Sequence, residues 1–98
     1  MPQKLWDVRE EPEFRRDLQA IFGRLQPHRA LFDEMLASTY FALARDPRKS
    51  GSLIIGTGYR VIYCDMPPLG LAVRIIYEFD ANTVLLRAAT RMPPENPE

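Results

Sequence analysis

Apolar positions follow two different periods along this chain, a helical one in the first half and a strand-like one in the second. Between Phe14 and Leu25 the apolar residues recur three or four positions apart, on one face of a helix. A second helical stripe follows Pro27 and stops before Pro47, since proline ends a helix. The pattern predicts a short strand at Lys4–Arg9, helices from Pro12 to about Gln26 and from Pro27 to Asp46, and strands at Tyr59–Met66, Leu71–Asp80 and Thr83–Arg91.

These elements predict an α+β fold: a short N-terminal strand, a two-helix hairpin and a three-stranded antiparallel β-meander. We expect a single domain over residues 1–91 and a flexible polar tail over residues 92–98. The segment RKSGSLIIGTG before the meander predicts a loop with at most a short strand. It is not a phosphate-binding loop, because the GxxxxGK[ST] pattern and the helix that should follow are both missing.

The last two predicted strands should carry arginines on one face. A two-residue turn at Ala81–Asn82 fixes their register and gathers the apolar residues on the face that should meet the helices. The opposite face then holds Arg74 across from Ala89, with Arg87 and Arg91 on its two diagonals. The sequence therefore predicts three converging arginines.

The first strand of the meander adds a phenol to this arginine face. A four-residue loop between the first two meander strands places Tyr63 directly opposite Arg74 and Asp65 on the same face. Neighbouring guanidinium groups repel each other, so an anion such as a phosphate or a carboxylate is the expected ligand. The alternative is a solvated face on which Arg74 pairs with Asp65 or Glu78.

Composition limits the chemistry that this chain can perform. Thirteen basic residues balance thirteen acidic ones, so attraction to nucleic acid must come from local clustering. With Cys64 and His28 as its single cysteine and histidine, the chain lacks the usual metal-ligand spacings, and we expect neither metal nor cofactor. No apolar run approaches the ~18 residues of a membrane span, and the N-terminus lacks the apolar core of a signal peptide, so we expect a cytoplasmic protein.

Three stretches of the chain resemble the RelE/ParE superfamily, the toxin halves of bacterial type II toxin–antitoxin pairs. ALARDPRKSG at 42–51 is similar to the family's helix end and turn, and VRIIYEFD at 73–80 to its YRviYeid strand. VLLRAATR at 84–91 is similar to its closing strand. The order and spacing of these stretches, over about residues 4–91, carry the resemblance, which implies a short strand and a helical hairpin before a twisted antiparallel sheet.

The resemblance implies metal-independent cleavage of ribosome-bound mRNA, by attack of a ribose 2′-OH on the adjacent phosphate. By position, Arg74 and Arg91 match the family's motif arginines, which would hold and neutralise that phosphate. Arg87 joins them only from the sheet geometry, and Tyr63 is a candidate phenol for proton transfer without a family counterpart. The implied partners are the ribosome with its mRNA and a cognate antitoxin protein; no membrane partner is expected, and a homodimer is left open.

The chain also departs from the family's pattern. Val73 stands where the family has a tyrosine before the motif arginine, Thr90 replaces the common His or Lys, and the tail MPPENPE has no terminal tyrosine. General acid–base catalysis is therefore poorly provided. These gaps favour an alternative function, a non-catalytic ParE-like inhibitor that binds a protein such as DNA gyrase. A third alternative is a non-toxic α+β relative.

Overall fold

Two helices cover one face of a five-stranded sheet in the computed structural model, which describes residues 4–23 and 28–93. The predicted α+β class is confirmed. The predicted end of the first helix at Gln26, the start of the second at Pro27 and residues 94–98 of the predicted tail lie outside the described residues. The elements are β1 (Asp7–Glu10), α1 (Pro12–Phe22), α2 (Arg29–Arg45), α3 (Pro47–Ser50), β2 (Ser52–Leu53), β3 (Arg60–Met66), a 3-10 turn (Pro67–Leu69), β4 (Leu71–Phe79) and β5 (Thr83–Met92).

The helices form where the apolar stripe predicted them, and they supply six of the fifteen buried hydrophobic residues of the core within the described part of the chain. Pro12 occupies the first turn of α1, where its missing N–H costs no hydrogen bond. Pro47 ends α2 but also begins the short α3, whose first N–H groups are capped by the Asp46 carboxylate. None of the described helices is both long and apolar enough to cross a membrane. The buried helical residues are Phe14, Leu18 and Ile21 of α1 and Phe32, Leu36 and Leu43 of α2.

The sheet contains more strands than the sequence predicted. Its strand order is β1-β5-β4-β3-β2, with β1 parallel to β5 and the other pairs antiparallel. The prediction of a three-stranded meander beside a short first strand is therefore incomplete. The two-residue strand β2 is too short to show a period, and the pairing of β1 with β5 joins segments that are distant in the sequence.

The pairing of β3 with β4 follows the predicted register. Tyr63 lies directly opposite Arg74, as predicted, and the alternate residues Cys64 and Val73 are buried against the helices. We call the sheet face that turns away from the helices the outer face. On the three central strands it carries Val61, Tyr63 and Asp65 of β3, Arg74, Ile76 and Glu78 of β4, and Leu85, Arg87, Ala88 and Thr90 of β5.

A β-bulge in β5 interrupts its pairing with β4. Tyr77 pairs with Leu86, as predicted, but Ile76 pairs with Ala88, so Arg87 is an extra residue without a partner on β4. A bulge of this kind puts two successive residues on the same side of a strand and displaces every later residue by one. The alternation that the sequence analysis assumed therefore fails after Arg87.

The displaced register moves Arg91 to the other side of the sheet. Thr90, and not Ala89, lies opposite Arg74, while Arg91 lies opposite Val73, which is fully buried against the helices. Directly opposed residues share a face. The prediction that three arginines converge on one face is therefore wrong for Arg91.

A contact from α1 explains why the bulge is stable. Beyond Glu11, strand β1 no longer covers the edge of β5, and α1 packs there instead. The backbone N–H of Ala89 donates a hydrogen bond to the Asp17 carboxylate, 2.9 Å away. This contact joins residues that are 72 positions apart, so local sequence patterns could not predict it.

Candidate nucleic-acid interface

The centre of the outer face pairs an arginine with a tyrosine. Arg74 of β4 and Tyr63 of β3 are directly opposed, which brings their Cβ atoms to about 4.5 to 5.5 Å of each other. Tyr63 is 52% exposed, while the Arg74 side chain is half-buried. A phenol and a guanidinium group are therefore presented side by side to solvent.

Arg74 has no acidic partner within the described part of the chain. The solvated-face alternative paired it with Asp65 or Glu78, but neither forms an ion pair with it, and Glu78 contacts Arg87 instead. Its Nε is buried without a hydrogen-bond partner in that same part of the chain. Because a half-buried guanidinium group gains most from an anion, Arg74 is the candidate phosphate ligand of this face.

Arg87 shares the outer face with Arg74 but differs in its surroundings. Its Nη1 lies 3.5 Å from the Glu11 carboxylate and its Nε lies 3.6 Å from that of Glu78. Its guanidinium carbon is 6.0 Å from the centre of the Tyr59 ring. Two carboxylates thus largely neutralise Arg87, although both contacts are long. Glu11 was not predicted as a partner of Arg87, because the two residues lie 76 positions apart in the sequence.

Arg91 does not belong to the surface that Arg74 and Tyr63 form. It lies on the helix-facing side of β5, is partly exposed, and keeps a buried Nε without a partner within the described residues. Arg91 lies near the end of β5, past the segment Thr83–Leu86 that pairs with β1. Of the three arginines predicted to bind phosphate, the structure brings Arg74 and Arg87 to one face and separates Arg91 from them.

A second arginine–tyrosine pair lies on the helix-facing side of the same two strands. Arg60 is directly opposite Tyr77, and its Nη2 donates to the carbonyl oxygens of Arg48 at 2.6 Å and Gly51 at 2.8 Å. The Tyr77 hydroxyl donates to the carbonyl of Pro47, 2.7 Å away. Burial raises the pKa of the Tyr77 phenol above its ordinary value, and the Arg60 guanidinium opposes part of that rise. We call this set of contacts the Gly51 junction.

Gly51 has no room for a side chain in this junction. A Cβ atom at this position would lie 2.5 Å from both the Tyr77 hydroxyl and the Val61 carbonyl oxygen. The stretch ALARDPRKSG, which carries part of the family resemblance, therefore has a structural explanation. It ends α2, caps α3 through Asp46 and brings Gly51 against the sheet.

The cleft between α1 and α2 has charged walls whose groups satisfy each other. It measures about 310 Å³ and is lined in part by Glu10, Arg15, Arg29 and Asp33. Glu10 lies 3.3 Å from Arg15 and accepts a hydrogen bond from the Tyr40 hydroxyl at 2.5 Å. Burial, and then this hydrogen bond, raise the pKa of the Tyr40 phenol. These contacts attach β1 to both helices, and Arg29 lies 3.5 Å from Asp33, so each of the four charged side chains named here has a partner.

Comparison of the chain with models of protein families, with curated proteins and with solved structures found no match in any of the three. The described residues also contain no group of three or more His, Cys, Asp and Glu side chains arranged to hold a metal ion.

Proposed function

We propose that this protein is a RelE/ParE-like toxin of a type II toxin–antitoxin module, which cleaves ribosome-bound mRNA on the outer face of its sheet. The observation that carries the proposal is the pair formed by Arg74 and Tyr63. Within the described residues no helix covers this pair and no acidic side chain neutralises Arg74. A phosphate between them would complete the hydrogen bonding of the guanidinium group.

The order of the elements also supports the family assignment. A short strand, two helices and then three antiparallel strands follow one another, as in the arrangement that the resemblance implies. The short strand β2 is an addition to that arrangement. We therefore take the fold to be a RelE/ParE-like variant with an extended sheet edge.

The chemistry requires two proton transfers and stabilisation of negative charge. The ribose 2′-oxygen attacks the adjacent phosphorus, the bond from phosphorus to the 5′-oxygen breaks, and the products are a 2′,3′-cyclic phosphate and a free 5′-hydroxyl. Arg74 stabilises the charge that develops on the phosphate oxygens. Tyr63 donates a proton to the departing 5′-oxygen, and the exposed Asp65 carboxylate accepts the proton of the 2′-hydroxyl.

A cognate antitoxin would have to cover the same face. Its segment should carry carboxylates that reach Arg74 and apolar side chains that contact the half-buried Ile76 and Leu85. Such a segment would both prevent RNA from binding to the outer face and neutralise the charge of Arg74. The antitoxin is therefore expected to protect Tyr63 from solvent in the complex.

The experiment that tests this function is a map of new mRNA 5′ ends in a bacterial host after brief induction. The wild type should produce cuts phased to codons, and Arg74→Ala should remove them, because loss of transition-state stabilisation costs about 2 to 4 kcal/mol. Arg9→Ala is the matched control, since Arg9 lies on the outer face but pairs with Asp7 at 2.7 Å. Codon-phased cuts that persist in Arg74→Ala would contradict the proposal.

A second candidate function is inhibition of a protein such as DNA gyrase without catalysis. The neutralisation of Arg87 by Glu11 and Glu78 favours it, as does the position of Arg91 on the other side of the sheet. An outer face with so few free positive charges gives RNA a weak electrostatic attraction. Growth arrest without new 5′ ends would support this second function over the first.

A further inference from the structure

A cleft at the start of α1 borders the outer face without belonging to the pair of Arg74 and Tyr63. It measures about 260 Å³ and opens to solvent. Arg87 is shared between the cleft and the outer face, because it projects from the bulge of β5. The lining residues are Glu11, Pro12, Glu13, Arg16 and Arg87.

The cleft presents hydrogen-bond donors and acceptors of both charges. Arg87 has five N–H groups, and its two long carboxylate contacts occupy at most two of them. Within the described residues Glu13 and Arg16 have no ion pair, and Glu11 uses one of its two oxygens on Arg87. A ligand here therefore meets a guanidinium fork that is held in place and carboxylate oxygens that can still accept hydrogen bonds.

We propose that this cleft binds a guanine base, and, building on the proposed function, that the base belongs to the RNA substrate. Guanine carries two acceptors, O6 and N7, on the edge that an arginine fork recognises. Its neighbouring edge carries the N1–H and N2–H donors, which suit the carboxylates of Glu11 and Glu13. Adenine has a donor amine in place of O6, so its N–H groups would face the N–H groups of Arg87 and no hydrogen bond could form between them.

The position of the cleft suits a nucleotide next to the phosphate at Arg74. Arg87 lies next to the paired residues Ile76 and Ala88. Arg74 is two residues from Ile76 along β4, a distance of about 7 Å. An extended RNA strand on the outer face can therefore place one phosphate at Arg74 and a neighbouring base in the cleft. The exposed ring of Pro12 offers an apolar surface to the flat side of that base.

The test is a fluorescence anisotropy titration of the whole protein with labelled hexaribonucleotides of sequence UUUGUU and UUUAUU. The wild type is expected to prefer the guanine oligonucleotide by about tenfold or more, the size of a bidentate arginine contact. Arg87→Lys keeps the charge but loses the planar fork, so it should reduce the preference to near unity while still binding UUUAUU. Arg9→Lys, the matched control on the same face, should retain the preference.

The outcomes separate the cleft from the proposed function. Equal affinity of the wild type for both oligonucleotides, or a preference that survives Arg87→Lys, would overturn the proposal that the cleft binds guanine. Neither result would contradict phosphate binding at Arg74. Arg74→Ala should weaken both oligonucleotides alike and preserve their ratio. If the protein binds neither oligonucleotide, RNA is excluded as the substrate. The guanine pocket would then be tested by titrating the protein with guanosine monophosphate and adenosine monophosphate and following the amide NMR signals of Glu13, Arg16 and Arg87. Guanosine-specific shifts would support it, and their absence would overturn it.

Discussion

The same two strands present an arginine opposite a tyrosine twice, once on each face of the sheet. Arg60 and Tyr77 face the helices, where Tyr77 is fully buried and Arg60 binds two backbone carbonyls. Arg74 and Tyr63 face outward, where Tyr63 is 52% exposed and the Arg74 guanidinium group has neither a hydrogen bond nor an ion pair within the described residues. The residue types are identical, but their surroundings differ.

This contrast separates a structural arginine from one that is available to a ligand. The hydrogen bonds of Arg60 hold α3 and Gly51 against the sheet, so replacing it should cost stability. Arg74 forms no hydrogen bond or ion pair to another element in the part of the chain that the structure describes, so replacing it should cost binding and not stability. Arg87 lies between the two cases, because carboxylates of β4 and of the chain before α1 orient it without burying it.

The largest effect is expected for Gly51→Ala in the Gly51 junction. The added methyl group would lie 2.5 Å from the Val61 carbonyl oxygen, which the sheet holds in place. We expect the free energy of unfolding, measured with urea, to fall by about 3 kcal/mol. Gly58→Ala is the matched control, since a Cβ there meets nothing within 4 Å, and it should change stability by no more than about 0.5 kcal/mol. Equal losses of stability at both glycines would contradict the close packing of Gly51 against Tyr77 and Val61.

A smaller loss is expected for Arg60→Met, which keeps the apolar stem and removes the guanidinium group. The carbonyl groups of Arg48 and Gly51 lose a charged donor, so the free energy of unfolding should fall by about 2 kcal/mol. Urea unfolding measures this loss. RNA affinity of the folded variant should remain that of the wild type, and a tenfold drop in affinity would contradict the structural role.

Among the three substitutions in the Gly51 junction, Tyr77→Phe should have the smallest effect on stability, and that effect should depend on pH. The lost hydrogen bond to the Pro47 carbonyl costs about 1 kcal/mol near neutral pH. Because the folded state raises the phenol pKa, the contribution of Tyr77 is present below its ordinary value of 10.0 and is lost as pH rises through the folded value. Urea unfolding from pH 7 to 11 should therefore show the wild type and the variant converging above about pH 10. A constant difference would contradict the burial of this phenol.

Sequence patterns predicted the helices, the central strands and the opposition of Tyr63 and Arg74, because those features depend on local periods and one short loop. They failed at the bulge of β5, where the hydrogen bond between Ala89 and Asp17 joins distant segments and changes the face of Arg91. They also missed Glu11, whose contact with Arg87 crosses most of the chain. The sequence showed which strands carry arginines, but it did not show which carboxylates or carbonyl groups each arginine contacts.

Arg74 is proposed to bind RNA phosphate without stabilising the fold. The most direct test is a salt-dependent anisotropy titration of a single-stranded RNA with Arg74→Met, the same substitution proposed for Arg60. We expect affinity to fall about tenfold or more, the slope of log affinity against log salt to fall by about 0.7, and stability to stay within about 0.5 kcal/mol of the wild type. Wild-type affinity and slope in folded Arg74→Met would contradict the account.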